Sequence, residues 1–236
     1  MESPAHAESA DHGLRDDGLP DDGLRDPGLP DDGLIVAVVL AGGAGRRMGG
    51  VDKAGLEVGG RSLLDRVLSA AAGVAGRLVV VGPPRPVTTD RAVIFVEEEA
   101  PGGGPVPAVR AALDSTGGAS VVILLAVDLP LLTSADLSRL VGDLMAANPP
   151  VAAVAASDPS GRPNPLLAAY RAAALRREVA AVDTPFGAPA AWLLPHDVRV
   201  VDLGTEATLN VNTPEDLDRA VELAGRPVRG HSGGAC

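Results

Sequence analysis

Runs of consecutive apolar residues recur along this chain from residue 35 onward, and amphipathic stretches separate them. The apolar runs at 35–40, 78–81, 93–96, 121–126, 151–155 and 198–201 are short and rich in Val, and only Arg199 interrupts them with a polar residue. That is the pattern of strands buried on both faces. The stretches 62–72, 106–113, 134–147, 172–182 and 214–223 carry apolar residues at helical spacing and predict helices. Ser134 reads as an N-cap, with Leu137 and Leu140 on the buried face. Thr213 reads as another N-cap, with Pro214 at the first helical position and Glu215 and Asp216 in the first turn. Strands alternating with helices predict an α/β fold, a mostly parallel sheet with helices on both faces. Ligands of such sheets bind at the carboxyl ends of the strands.

The loop after the first strand, residues 40–53, holds five glycines and three cations in fourteen residues. Glycine lets backbone approach a ligand closely. Successive free N–H groups form a concave anion site, and Arg47 and Lys53 add charge. A polyphosphate is the simplest ligand. A plain surface loop would not be expected to follow a buried strand and carry Arg46-Arg47 and Lys53 together. A P-loop is excluded, because Val51 follows Gly50 and Ala54 follows Lys53. The dinucleotide fingerprint is excluded as well, because Met48 stands where its third glycine belongs.

Three further places carry chemistry. The strand at 121–126 delivers one carboxylate, Asp128, just before Pro130. A hard cation such as Mg²⁺ binds through one or two carboxylates plus phosphate oxygens. Alone, Asp128 would read as the cap of a turn; beside a phosphate loop, the metal role is preferred. The turn Glu97-Glu98-Glu99-Ala100-Pro101-Gly102-Gly103-Gly104-Pro105 follows another strand and opens a helix, and its glycines and prolines would form a rigid wall for a flat base. Finally, Asn210 and Asn212 share one face if 209–213 is extended, and two amides there could bind phosphate or a second substrate.

The glycine loop resembles the signature of the molybdenum cofactor guanylyltransferase family, a branch of the nucleotidyltransferases. The residues that carry the likeness are Leu40-Ala41-Gly42-Gly43, Arg47-Met48-Gly49 and Asp52-Lys53. Asp128-Leu129-Pro130 matches the family's metal site, Gly104-Pro105-Val106 its Gly-Pro-Leu turn, and Asn210-Val211-Asn212-Thr213-Pro214-Glu215-Asp216-Leu217 its closing segment. The likeness extends, with gaps, from about residue 35 to 220. It implies a three-layer Rossmann-like domain over 35–225. It also implies GMP transfer from GTP to molybdenum-bound molybdopterin, with Mg²⁺ as cofactor. Leu40, Ala41, Gly42, Gly43, Lys53, Glu98 and Asp128 would bind the nucleotide, and Lys53, Arg47 and Asp128 would act in catalysis. Asp128 would hold the metal, and Asn210 and Asn212 would face the acceptor. The acidic nucleotide contact falls among Glu97, Glu98 and Glu99, with Glu98 the first choice. Transient contact with molybdoenzyme-maturation proteins goes with the family.

Two departures stand out. Gly82 occupies a position where relatives can carry a nucleotide-contacting Asn. The stretch 183–192 holds no cation, although relatives often have an Arg-rich segment there for the acceptor phosphate. Arg162 and Asn164 could compensate. The rivals are a nucleotidyltransferase with a sugar-phosphate or phospholactate acceptor, and a GTP-binding protein without turnover.

Charge and composition narrow the rest. Residues 1–34 hold ten acidic and two basic side chains, so most of the net charge of −11 belongs there. Residues 11–34 repeat a pentapeptide with one Leu per unit, too little apolar surface to offset chain entropy, and predict a disordered acidic tail over 1–34. The repeat lacks the twelve-residue loop of a Ca²⁺ site. Residues 226–236 read as a second flexible tail. No basic stripe suggests nucleic acid. The single Cys, Cys236, fits a reducing compartment. No apolar run reaches the ~20 residues of a membrane span, and no signal peptide is evident, so a cytoplasmic protein is expected.

Overall fold

The computed structural model describes residues 33–42, 51–148 and 150–225. Most of the two expected tails, and Gly43 and Arg47 of the glycine loop, lie outside the described residues.

Seven strands form one sheet: β1 (Leu34–Leu40), β4 (Arg77–Val81), β5 (Val93–Val96), β6 (Ala119–Ala126), β7 (Ala153–Ser157), β8 (Pro163–Arg171) and β9 (Val198–Val201). Their order is β5-β4-β1-β6-β8-β7-β9, and only β8 runs antiparallel to its neighbours. The short strands β2 (Glu57–Val58) and β3 (Arg61–Ser62) make a separate hairpin. Its turn, Gly59-Gly60, has φ of 61° and 73°, the left-handed pair that a two-residue hairpin turn needs.

The central strands face a core on each side. Ala37 and Val39 of β1, with Ile123 and Leu125 of β6, point to one core; Val36, Val38, Val122 and Leu124 point to the other. On the first face lie α1 (Leu63–Ala72), α3 (Ser134–Ala146) and α6 (Pro214–Ala224). On the second lie α2 (Pro105–Ala112) and α4 (Ala172–Ala180). The fold is thus the expected three-layer α/β arrangement. The one-turn helix α5 (Gly204–Ala207) completes the elements.

Three expectations need correction. The N-cap of α3 is Thr133, not Ser134. The Thr133 hydroxyl accepts the Asp136 amide at 3.3 Å, and the Asp136 carboxylate accepts the Thr133 amide at 2.9 Å. This reciprocal box requires an acid three residues on, which only Thr133 has. The strand expected at 151–155 lies two residues later, at β7. Strand β8 was not expected at all. Pro163 and Pro165 obscure it, yet both precede Leu167, which pairs with Leu125 of β6, so no β6 ladder bond is lost.

Candidate active site

Three chain segments meet at the carboxyl ends of β1 and β6. Asp52 caps a 3-10 turn, Lys53–Gly55, accepting the Ala54 amide at 3.2 Å, and this turn aims Lys53 inward. Asp128 follows the end of β6, where Val127 donates to the Leu40 carbonyl at 3.1 Å. Asn212 precedes α6, and its preceding residue Val211 donates to the Asp128 carbonyl at 2.9 Å. Lys53 Nζ donates to Asp128 Oδ2 at 3.1 Å and to Asn212 Oδ1 at 2.8 Å. The Lys53 and Asp128 side chains are only 13% and 18% exposed. Asp128 Oδ1 is buried without a hydrogen-bond partner. Unmet buried acceptors are costly, so this oxygen is poised for a cation or donor.

Asp216 supports Asn212 from α6. Its Oδ2 accepts the Asn212 amide at 3.0 Å and the Thr213 amide at 2.9 Å. Burial would raise its pKa, but these bonds, the Thr213 hydroxyl and Arg219 outweigh burial and lower it. Asn210 behaves differently. Residues 208–213 form no strand, and the Asn210 amide nitrogen donates to the Thr208 carbonyl at 3.2 Å. The two Asn side chains therefore meet different partners.

The other side of the site is shaped by β1, β4 and β5. Leu40 ends β1, and the Ala41 amide donates to the Val81 carbonyl at 2.9 Å. Gly82, at φ 150°, sits so close that a Cβ there would lie 3.5 Å from the Gly42 amide nitrogen. The side chain that relatives can carry at this position is absent, and the backbone of Gly42 stands open instead. Of the three glutamates, Glu97 and Glu99 are exposed, whereas Glu98 is half-buried. Glu98 Oε1 lies 3.3 Å from where a Gly42 Cβ would be, and Glu98 Oε2 is buried without a partner. Burial raises the Glu98 pKa. A carboxyl whose folded pKa lies above its unfolded value weakens the fold once pH rises above that unfolded value. Glu98→Gln is therefore expected to melt at a higher temperature than the parent at pH 7. The two melting temperatures should converge below about pH 4, where both side chains are neutral; calorimetry at the two pH values checks this.

Sequence reasoning did not single out Arg85. Its guanidinium pairs with Asp52 Oδ2, tying the loop after β4 to the turn that carries Lys53. Its Nε is buried without a partner. No motif flags an Arg in a Pro-rich loop, and only the fold brings it to Asp52. Elsewhere, Arg162 and Asn164 lie in the β7–β8 hairpin, where Asp158 Oδ1 accepts the Ser160 and Arg162 amides and Asn164 Oδ1 accepts the Leu166 amide. Residues 163–166 of β8 run past the last β6 pairing, toward the Asp128 end of the sheet. Gly187 of the 183–192 stretch donates to the Gly103 carbonyl at 2.6 Å, and Phe186 and Trp192 are exposed at 63% and 54%.

The family model described as "MobA-like NTP transferase domain" matches residues 37–194. The chain belongs to this family. This MobA-like chain is 34% identical over 191 residues to the molybdenum cofactor guanylyltransferase of Acidiphilium cryptum (strain JF-5), covering 78% of this chain and 92% of the relative. It is 30% identical over 203 residues to the molybdenum cofactor guanylyltransferase of Cereibacter sphaeroides, covering 80% and 96%. In fold it is similar to molybdopterin-guanine dinucleotide biosynthesis protein A from Archaeoglobus fulgidus, with a TM-score of 0.61 at 23% identity over 80% of this chain and 97% of that one. It is also similar to 2-C-methyl-D-erythritol 4-phosphate cytidylyltransferase from Thermus thermophilus, with a TM-score of 0.57 at 22% identity over 81% and 99%. The MobA-like chain is a nucleotidyltransferase.

A divalent cation suits this MobA-like site. No group of three or more His, Cys, Asp or Glu side chains is arranged to hold a metal among the described residues. The single carboxylate of Asp128, with one unpartnered buried oxygen, matches a Mg²⁺ ion held mainly by substrate phosphates and water.

Proposed function

We propose that this chain transfers GMP from GTP to the terminal phosphate of molybdenum-bound molybdopterin, releasing pyrophosphate. The observation that carries the reading is the Lys53–Asp128–Asn212 cluster with its unpartnered Asp128 oxygen, set beside the Gly42 and Glu98 wall. The relatives named above are molybdenum cofactor guanylyltransferases by name, which supports the reading.

The roles follow from charge. An acceptor phosphate oxygen attacks the α-phosphorus of GTP; the bond from that phosphorus to the β-phosphate oxygen breaks, and pyrophosphate leaves. Both reactants are anions, so the protein's task is positioning and charge neutralisation. Lys53 binds the triphosphate, assisted by Arg47 and the backbone of Leu40, Ala41, Gly42 and Gly43. Asp128 would hold a Mg²⁺ ion, which would supply positive charge to the triphosphate. Asn212 orients Lys53, and Glu98 accepts donors from the base. Asn210, Arg162 and Asn164 serve the acceptor side. No helix among the described residues is long and apolar enough to cross a membrane, and a cytoplasmic location and transient contact with maturation proteins go with the reading.

The test is pyrophosphate release with Mg²⁺, molybdenum-loaded molybdopterin and each of the four nucleoside triphosphates in turn. Release with GTP and not with ATP, CTP or UTP is the expected result. Release only with a sugar phosphate or phospholactate as acceptor would move the chain to another nucleotidyltransferase class. Tight GTP binding with no release under any acceptor would make it a binding protein.

A further inference from the structure

A polar pocket of about 200 Å³, open to solvent, lies on the face of the molecule that carries α1 and α3. It is smaller than the ~300–1,000 Å³ pockets that enclose drug-sized molecules. Its polar lining residues are Arg61, Arg66, Ser69, and Thr133 and Ser134 at the start of α3, with Pro130 also in the lining. Pro130 is two residues beyond Asp128, so the cavity adjoins the candidate active site through one short turn.

Two guanidinium groups face this space, and neither meets a carboxylate among the described residues. Arg61 donates to the backbone carbonyl of Asp65 at 3.1 Å. The Asp65 carboxylate is turned elsewhere, accepting the Ser62 hydroxyl at 2.7 Å and the Thr88 amide at 2.6 Å. Arg66 donates from Nε to the Pro130 carbonyl at 2.6 Å and from Nη1 to the Val58 carbonyl at 3.0 Å. Those two bonds fix the plane of the guanidinium and tie it to Pro130 in the lining and to Val58 in the β2–β3 hairpin. The Asp136 carboxylate is engaged by the Thr133 amide and hydroxyl. Arg66 is partly buried beside Arg61, and burial together with that neighbouring charge lowers its pKa. An anion bound between Arg61 and Arg66 would offset the repulsion between their like charges. A guanidinium fork matches a tetrahedral oxyanion in two places at once.

We propose that this cavity is a second oxyanion site that takes a phosphate group, distinct from the site built on Lys53. Arg66 is the fixed wall, Arg61 the arm that closes on the anion, and the Ser69 and Ser134 hydroxyls complete the donor set. The phosphate has two sources, pyrophosphate leaving the neighbouring site or a phosphomonoester. The proposal does not rest on which base or acceptor the active site uses.

The test titrates the full chain, in the Lys53→Ala background that weakens the first anion site, with inorganic phosphate, pyrophosphate and glycerol phosphate by calorimetry. Saturable binding of at least one of these is expected to persist in that background. Adding Arg61→Gln is expected to weaken it about tenfold or more, and Ser69→Ala several-fold. Preference for pyrophosphate would assign the site to the leaving product, and preference for glycerol phosphate to a phosphomonoester. Arg61 and Ser69 are chosen because both are exposed, whereas Arg66 ties two loops together and its loss could unfold the region. The proposal is overturned if Lys53→Ala alone removes all saturable binding, or if Arg61→Gln and Ser69→Ala leave the affinity unchanged.

Discussion

Asp128→Asn is expected to lower the rate of pyrophosphate release by about 10²–10³-fold, with a lower melting temperature as well, because Lys53, 13% exposed, loses its counter-charge. The substitution keeps size and shape. Its amide oxygen can still accept from Lys53, as Asp128 Oδ2 does at 3.1 Å. What it removes is the negative charge, and with it the buried Oδ1 that has no partner in the protein. Preorganised charge at a phosphoryl centre contributes on the order of 3–4 kcal/mol, and each ~1.4 kcal/mol is tenfold in rate. The measurement is kcat at saturating GTP over a Mg²⁺ titration. The half-saturating Mg²⁺ concentration should rise along with the loss of rate. The alternative role for Asp128 is the cap of a turn before Pro130. Asn serves turns as well as Asp does, so a capping role predicts near-parental kcat in the variant, and that outcome would remove Asp128 from the chemistry.

The alternation of apolar runs and helical stretches was legible because most of the strands are buried on both faces and built from Val, Ile and Leu. Lys53, Asp128 and Asn212 were legible individually, each at the end of a recognisable motif. Their contact was not, since 75 and 159 residues separate Lys53 from its two partners. Strand β8 was hidden because its prolines precede Leu167, beyond the β6 ladder, a fact of register alone. Among Glu97, Glu98 and Glu99, nothing in the composition distinguishes the middle one. Burial does, through a two-residue periodicity that carries Glu98 toward Gly42 and leaves its neighbours exposed. Arg85 and the Arg61–Arg66 pair were illegible for a related reason. A cation declares its role by what stands opposite it, and here the opposites are the Asp52 carboxylate, 33 residues from Arg85, and the Pro130 carbonyl, 64 residues from Arg66.

The sharpest consequence of that long-range contact concerns Lys53. Lys53→Ala is expected to lower kcat/KM for GTP by about 10³-fold, the scale of losing a preorganised charge at the triphosphate. Asn212→Ala alone should cost about tenfold, because Asn212 acts on the nucleotide partly by holding Nζ at 2.8 Å. In the double variant the Asn212 effect should largely disappear, since there is no ammonium left to orient; residues in one network are not additive. Equal Asn212 effects in both backgrounds would show instead that Asn212 meets substrate on its own. Lys53→Ala also leaves the Asp128 carboxylate, which is 18% exposed, without its cation. The nucleotide-free variant should therefore melt lower than the parent, because an unpaired, partly buried carboxylate destabilises the fold. Added Mg²⁺ should recover part of that loss by binding the folded state at the vacated oxygen. Asp128→Asn provides the control, because with no carboxylate present Mg²⁺ should have no such effect on melting. Lys53→Arg should not restore activity. The guanidinium is planar and wider than an ammonium, and the space between Asp128 and Asn212 is set by a single nitrogen that reaches both.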